Sequence, residues 1–284
     1  MNHKKAFTLS EVLITLMLIG VIAALTIPIF MEEFQKNKWT VTFKRTFAET
    51  FNALGRVALE EECSKSLTCT HIFDGAQNAS TEDFGKAMTS VMVTSKICGM
   101  EKIAKTPSEG EAPEADPNGC FTHKIRKGLA STESETLIDT MMTDIPETDD
   151  TPFYTFITQR GVAYALFSFG ENCLNGNVPQ KEAWYNAYVT SPDIDNNQML
   201  SLCGFIIVDV NGKQSPNIWG RDVFGVWVTD RSVIGVYPFG GDYDKRFGNN
   251  NESACGGGLC CKDDGTDARG CAARIIKDGW VMKY

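Results

Sequence analysis

The sequence predicts an α+β chain in which one long N-terminal helix packs on an antiparallel sheet and disulfide-rich loops complete the domain. Three observations predict it: an apolar run long enough for a helix near the N-terminus, a stripe of aromatic residues at helical spacing behind it, and strand-like runs between residues 152 and 239 punctuated by turn residues. The chain of 284 residues is long enough for a real core, and its formal net charge is −9. Such a balance excludes nucleic-acid binding through bulk charge.

The first element is KKAFTLSEVLITLMLIGVIAALTIP, residues 4–28. From Val12 to Phe30 only Thr15, Gly20, Thr26 and Pro28 interrupt the apolar character, and the 19-residue run approaches the ~20 residues a helix needs to cross a bilayer core. The threonines can bond back to their own helix. His3, Lys4 and Lys5 precede the run, so the positive-inside rule keeps the N-terminus cytoplasmic and sends the rest across in a single pass. A secretory signal places its small-residue cleavage site after the apolar run. Here the small residue, Ala6, stands before it, so a cut there leaves the hydrophobic helix on the mature protein and a body of charge −11, since Lys4 and Lys5 are lost.

Glu11 is the one acid in that run. An ionised carboxylate in hydrocarbon costs several kcal/mol unless it is paired. If the chain is cut after Ala6, the new ammonium of Phe7 lies at the same membrane depth as Glu11 of an adjacent parallel copy. Side-by-side packing then pairs the charges and rejects helices out of register.

These residues resemble the N-terminus of type IV pilins and of the pseudopilins of type II secretion. In that family a short basic leader and a small residue, usually Gly, precede F-T-L-x-E and an apolar helix. The match here reads Ala6, Phe7, Thr8, Leu9, Ser10 and Glu11, with Ala6 in the place of Gly. The resemblance covers about the first 30 residues. It implies leader cleavage between Ala6 and Phe7, N-methylation of Phe7, and subunit assembly through Glu11. It also implies a region at Gly20 and Pro28 that can melt when subunits pack. Elementary propensities agree, since Gly and Pro weaken helix interiors and Pro28 lacks a backbone donor.

Beyond the membrane the helix is expected to continue to about residue 62. Phe43, Phe47, Phe51, Leu54 and Ala58 recur at spacings of four, four, three and four, a single stripe for docking on a sheet, with Lys44, Arg45, Glu49, Asn52 and Arg56 off it. Residues 99–119 and 131–150 are acidic and poor in apolar side chains, and read as solvated surface segments. PFYTFITQ (152–159) and VAYALFSF (162–169) read as strands joined by a two-residue Arg160-Gly161 turn. CGFIIVDV (203–210) leads into Asn211-Gly212, a strong hairpin dipeptide, and FGVWVT (224–229) and VIGVYPF (233–239) follow as further strands. CAARIIKDGWVMKY at the carboxyl end reads as a returning edge strand around Ala272–Ile276, with an aromatic end packed on the core or sheet.

In DVNGKQSPNIWGRD, residues 209–222, Asp209, Asn211, Asn217 and Asp222 offer oxygens and a backbone carbonyl near Lys213 can add another, the ligand type that Ca²⁺ prefers. The loop partly resembles one that binds calcium in some pseudopilins. The competing reading is a type I′ turn at Asn211-Gly212, then a Pro-Asn turn, with Asp222 as a turn cap. SPDIDNNQM, residues 191–199, spaces acids alternately but lacks the Gly of an EF-hand loop and reads as an exposed turn. No cofactor is required, and Ca²⁺ is the one candidate ligand.

The ten cysteines are Cys63, Cys69, Cys98, Cys120, Cys173, Cys203, Cys255, Cys260, Cys261 and Cys271, an even set on the side of the membrane away from the cytoplasm. Structural disulfides are expected, with Cys63–Cys69 as a local bridge and the other pairings open. Zinc is disfavoured, because the adjacent Cys260 and Cys261 break the knuckle spacing of Cys255, Cys260, Cys261 and Cys271. His71 and His123 lie in no H-E-x-x-H, there is no G-x-S-x-G and no P-loop, and an enzyme finds no support.

The sequence therefore reads as a leader (1–6), a transmembrane assembly helix (7–30) and a pilin-like outer domain (31–284). The function it implies is a structural subunit of a type IV pilus or a type II secretion pseudopilus, anchored in a bacterial inner membrane before assembly and periplasmic or extracellular after it. Its partners would be other pilin or pseudopilin subunits, a prepilin peptidase and the inner-membrane assembly platform. The alternative is a membrane-anchored, disulfide-rich binding module that does not polymerise.

Overall fold

The computed structural model describes residues 8–63, 66–102, 118–122, 124–131, 134–135, 152–170, 173, 202–230, 234–240, 261–262 and 264–284. Ala6 and Phe7, most of the two acidic stretches, the 191–199 turn, His123, Cys255 and Cys260 lie outside the described residues. The chain divides into two units, Met1–Lys38 and Trp39–Tyr284.

Helix α1 spans Leu9–Glu60, close to the expected limits. In the first unit none of its apolar window is buried among the described residues. Thr15 Oγ1 donates to the Val12 carbonyl (2.9 Å) and Thr26 Oγ1 to that of Ile22 (3.0 Å), so neither hydroxyl is left unsatisfied. The helix ends in a Schellman arrangement. Cys63 N donates to Ala58 O (2.7 Å) and Glu62 N to Leu59 O (3.1 Å), with Glu62 in the left-handed region at φ 58°.

The second unit is built on a six-stranded antiparallel sheet in the order β1-β4-β5-β6-β7-β8. The strands are β1 (Thr94–Lys102), β4 (Pro152–Thr158), β5 (Ala163–Ser168), β6 (Leu202–Asp209), β7 (Val223–Asp230) and β8 (Ile234–Pro238); the short β2 (Ile125–Arg126) and β3 (Ser134–Glu135) pair apart from it. Every residue of β5, β6 and β7 is buried. Both faces of the sheet are therefore covered, which is why these strands read as continuous apolar runs. On one face Phe43, Leu54 and Val57 of α1 pack with Phe84 and Met88 of helix α2 (Gln77–Val91) over Phe156, Ile206 and Phe224. On the other face Phe153, Phe167, Phe205 and Trp227 form a second core with Phe121, Trp219 and Phe239.

Five expectations are corrected. Phe51 is 48% exposed, whereas Phe43, Leu54 and Ala58 are fully buried. The docking stripe is completed by Thr46 and Thr50 instead, because a threonine that bonds back to its helix, as Thr50 Oγ1 does to the Thr46 carbonyl (2.8 Å), can be buried at little cost. Residues 99–102, assigned to a solvated loop, belong to β1, where Glu101 accepts from Cys120 N (3.0 Å) and from Thr155 Oγ1.

The β4–β5 connection holds three residues and not two, since Thr158 N donates to Val162 O (2.9 Å) and Gly161 takes φ +79° to close the turn. Asn211-Gly212 makes a local turn, with Gly212 N bonded to Asp209 O (3.2 Å), but does not join the strands directly: β7 begins only at Val223. The C-terminal apolar segment is a helix, α3 (Cys271–Lys277), not an edge strand. A strand would send Ile275 and Ile276 to opposite faces. The helix buries Ala272 and Ile275 together and leaves the Arg274 guanidinium 5.2 Å from the Tyr284 ring centre.

Helix α2 was not expected, although Phe84, Met88 and Val91 recur at helical spacing. Gly85 lets it dock: a Cβ there would lie 1.9 Å from Tyr154 Cγ.

Candidate functional site

The first candidate site lies at the start of α1. Thr8 N and Thr8 Oγ1 each donate to Glu11 Oε2 at 2.8 Å, and Glu11 N donates to Thr8 Oγ1 at 3.3 Å. This is a capping box, in which the first-turn amides that have no intrahelical acceptor are satisfied reciprocally. Glu11 thus has a partner inside its own chain. Thr8 was not singled out from the sequence, although the T-x-x-E spacing of Thr8 and Glu11 is the signal for it. Downstream, α1 is continuous through Gly20 and Pro28. A Cβ at Gly20 would meet nothing within 4 Å among the described residues, and Pro28 cannot donate to the preceding turn.

The second candidate site is the 209–222 loop. Asp209 and Asp222 are both fully buried. Asp222 organises the loop: Oδ2 accepts from Asn217 N (2.8 Å) and Oδ1 from Ile218 N (2.6 Å), so it is a turn cap as well as an oxygen donor. Asp209 Oδ1 accepts from Asn211 N (3.2 Å), and Asn211 Nδ2 donates to Ser215 O (3.3 Å). Asn211 Oδ1 is buried with no hydrogen-bond partner among the described residues.

One end of the Asn217 carboxamide lies 3.1 Å from both the Gln214 carbonyl oxygen and Asp209 Oδ2. With its nitrogen there, Asn217 donates to both. With its oxygen there, three oxygens converge, an arrangement that needs a cation or a proton on Asp209 between them.

The electrostatics follow from burial. Desolvation pushes the Asp209 carboxyl well above the usual carboxylate range, and the Asp222 charge pushes it further against the Asn211 amide. Desolvation also raises Asp222, opposed by the Ile218 and Asn217 amides. A cation bound there would oppose both shifts by favouring the charged carboxylates. Among the described residues no three His, Cys, Asp or Glu side chains converge, so ligation here rests on two carboxylates with amide and carbonyl oxygens.

The same loop is fastened on three sides. Arg126 N donates to Asn217 O (3.0 Å) and Trp219 N to Arg126 O (2.9 Å). Tyr284 Oη donates to Gly220 O (2.6 Å), and the Arg221 guanidinium lies 5.4 Å from the Trp39 ring centre. Its geometry is therefore fixed by α1, β2 and the C-terminal segment together.

Among the described residues, disulfides join Cys63–Cys69, Cys98–Cys120, Cys173–Cys203 and Cys261–Cys271. The first is the local bridge expected from spacing. His71 is an exposed histidine paired with Asp74 (2.6 Å), whose carboxylate raises its pKa above the ordinary value of 6.5.

No curated protein and no solved structure matches the chain. Residues 1–27 do match a described family, the prokaryotic N-terminal methylation motif. The chain thus carries, ahead of a disulfide-bonded α+β domain, the prepilin signature of type IV pilins and pseudopilins.

Proposed function

We propose that this chain is a structural subunit of a type IV pilus or a type II secretion pseudopilus. The observation that carries the reading is the methylation motif at residues 1–27, set on a helix whose apolar window nothing in the described chain covers. A prepilin peptidase removes residues 1–6 by cutting between Ala6 and Phe7 and methylates the Phe7 amine. Residues 7–30 hold the subunit in the inner membrane as a single pass until the assembly platform extracts it. On assembly Glu11 exchanges its Thr8 hydrogen bonds for the Phe7 ammonium of a neighbouring subunit, and Gly20 and Pro28 let the helix loosen locally as it packs. Residues 31–284 form the outer domain, periplasmic or extracellular in the filament, and the chain catalyses no reaction.

The test is the N-terminal sequence and intact mass of the native membrane protein, with and without the peptidase, alongside Glu11→Ala. A methylated Phe7 start that depends on the peptidase, and loss of filaments in Glu11→Ala, are the expected results. A Met1 start in both preparations would overturn the reading in favour of an anchored binding module.

Within this reading the 209–222 loop holds Ca²⁺. Asp209 and the Gln214 carbonyl supply oxygens, the Asn217 carboxamide would turn its oxygen toward them when the ion binds, Asn211 Oδ1 is a buried acceptor with no partner among the described residues, and Asp222 holds the loop in shape. Calcium at a hundred times its Kd would stabilise the domain by about 2.7 kcal/mol. A calcium titration should raise the melting temperature of the wild type and leave Asp209→Asn unmoved; a wild type indifferent to calcium refutes the site.

A further inference from the structure

We infer that Asn118 is a site of self-modification, at which the chain closes a succinimide onto Gly119 and opens it to isoaspartate, with Lys96 as the activating group. The inference does not depend on the subunit reading. It concerns the segment that enters the second core at Phe121, where Asn118 is exposed and Gly119 is buried. In an Asn-Gly pair no Cβ on the second residue shields its amide nitrogen from the carboxamide carbon of the first.

Among the described residues the Asn-Gly pairs are Asn118-Gly119 and Asn211-Gly212, and their surroundings are opposite. At the second, Gly212 N donates to Asp209 O (3.2 Å) and Asn211 Nδ2 to Ser215 O (3.3 Å), so nucleophile and leaving group are both tied. At the first, Gly119 N is a buried donor with no acceptor among the described residues, and attack costs it no hydrogen bond. The Lys96 ammonium donates to the Asn118 carbonyl oxygen, which belongs to the same amide as Gly119 N. A cation there favours the negative charge that this amide takes on as it loses its proton, and so makes Gly119 N the better nucleophile. Lys213, from the 209–222 loop, donates to the Gly119 carbonyl (3.0 Å), and Cys120 is fixed by its disulfide to Cys98 and by its amide on Glu101 (3.0 Å). The amide nitrogen is thus the fixed partner and the exposed Asn118 carboxamide the movable one.

The chemistry balances with water alone. The Gly119 amide proton passes to solvent, the bond from Gly119 N to Asn118 Cγ forms, and the bond from Cγ to Nδ2 breaks with loss of ammonia. Water then adds to the Asn118 main-chain carbon and the bond from that carbon to Gly119 N breaks, so that the backbone runs through Cγ. No atom changes oxidation state. The new carboxylate contains the very oxygen to which Lys96 donates, so a hydrogen bond to a neutral carbonyl becomes an ion pair, with the Lys213 ammonium on the adjoining residue. The product adds one negative charge and one backbone methylene beside the edge strand β1, and it accumulates with the age of the molecule.

The test is incubation of the folded, disulfide-intact full-length protein in detergent at mildly alkaline pH, followed by peptide mass spectrometry with fragmentation that separates isoaspartate from aspartate. Asn118 should convert about tenfold faster than Asn211, as one unit in the acidity of the attacking amide gives. In reduced, denatured protein the two pairs should react at similar rates. Lys96→Met should slow Asn118 about tenfold in the folded chain and leave its denatured rate unchanged, whereas Lys96→Arg, which keeps a cation on the same carbonyl, should restore most of the rate. Thermal unfolding and disulfide mapping check that each variant keeps the fold. If folded Asn118 converts no faster than Asn211, or if Lys96→Met leaves its folded rate unchanged, the proposal is overturned. It is overturned equally if the difference between the two pairs persists in the denatured wild type, because flanking sequence and not Lys96 would then set it.

Discussion

Replacing Asp222 with alanine tests whether one buried carboxylate shapes the 209–222 loop. The side chain is fully buried, and its two oxygens accept the amides of Asn217 at 2.8 Å and Ile218 at 2.6 Å. Alanine leaves the buried Ile218 amide and the part-buried Asn217 amide without an acceptor, at about 1–3 kcal/mol each. Against this, removal of a carboxylate held in a desolvated place beside Asp209 returns part of the cost of burying it. The net expectation is a loss of about 2–4 kcal/mol. At about 2–4 °C per kcal/mol for a large domain, the melting temperature falls by about 4–16 °C.

Asp222→Asn keeps one acceptor oxygen and should lose about half as much. The assay is thermal unfolding of the full chain in detergent with calcium chelated, followed by the fluorescence of Trp219 and Trp227 in the second core. Chelation keeps the metal out of the comparison. An Asp222→Ala melting temperature within about 1 °C of the wild type would refute the reasoning, because the loop would then hold its shape without the two bonds.

Two other predictions concern the surface and the bridges. His71 should titrate by NMR with a midpoint above 6.5, and Asp74→Asn should return it toward that value. The stabilisation linked to this pair is fully present below pH 6.5 and is lost as pH rises through the raised midpoint; a midpoint at or below 6.5 in the wild type contradicts the pairing. Converting Cys98 and Cys120 together to serine opens a bridge that spans 22 residues and should cost about 3 kcal/mol, read as a lower denaturant midpoint at unchanged slope. An unchanged midpoint would show that the bonds from Glu101 to Cys120 hold that segment to β1 unaided.

Features that depend on neighbours along the chain were determined by the sequence alone. The apolar run fixes the start of α1, short apolar runs and turn residues place β4 to β8, and six residues of separation identify Cys63 and Cys69 as a pair. The prepilin signature is also local, since a basic leader, a small residue and an acid ahead of an apolar run all fall within residues 1–27. Even the capping box of Thr8 and Glu11 is written in a three-residue spacing.

Only the tertiary structure decided matters that depend on what lies opposite. Phe51 continues the aromatic spacing of α1, yet it points away from the sheet because Thr50 and Leu54 occupy the inward positions beside it. Asn211-Gly212 has the chemistry of a two-residue hairpin, but the buried Asp209 and Asp222 and the anchors on Arg126 and Tyr284 hold a longer loop in place. The apolar C-terminal segment suits a strand by composition, and becomes α3 because the rim of the two cores needs Ala272 and Ile275 on one side. In each case local preference leaves two conformations close in energy, and burial of apolar surface against distant residues chooses between them.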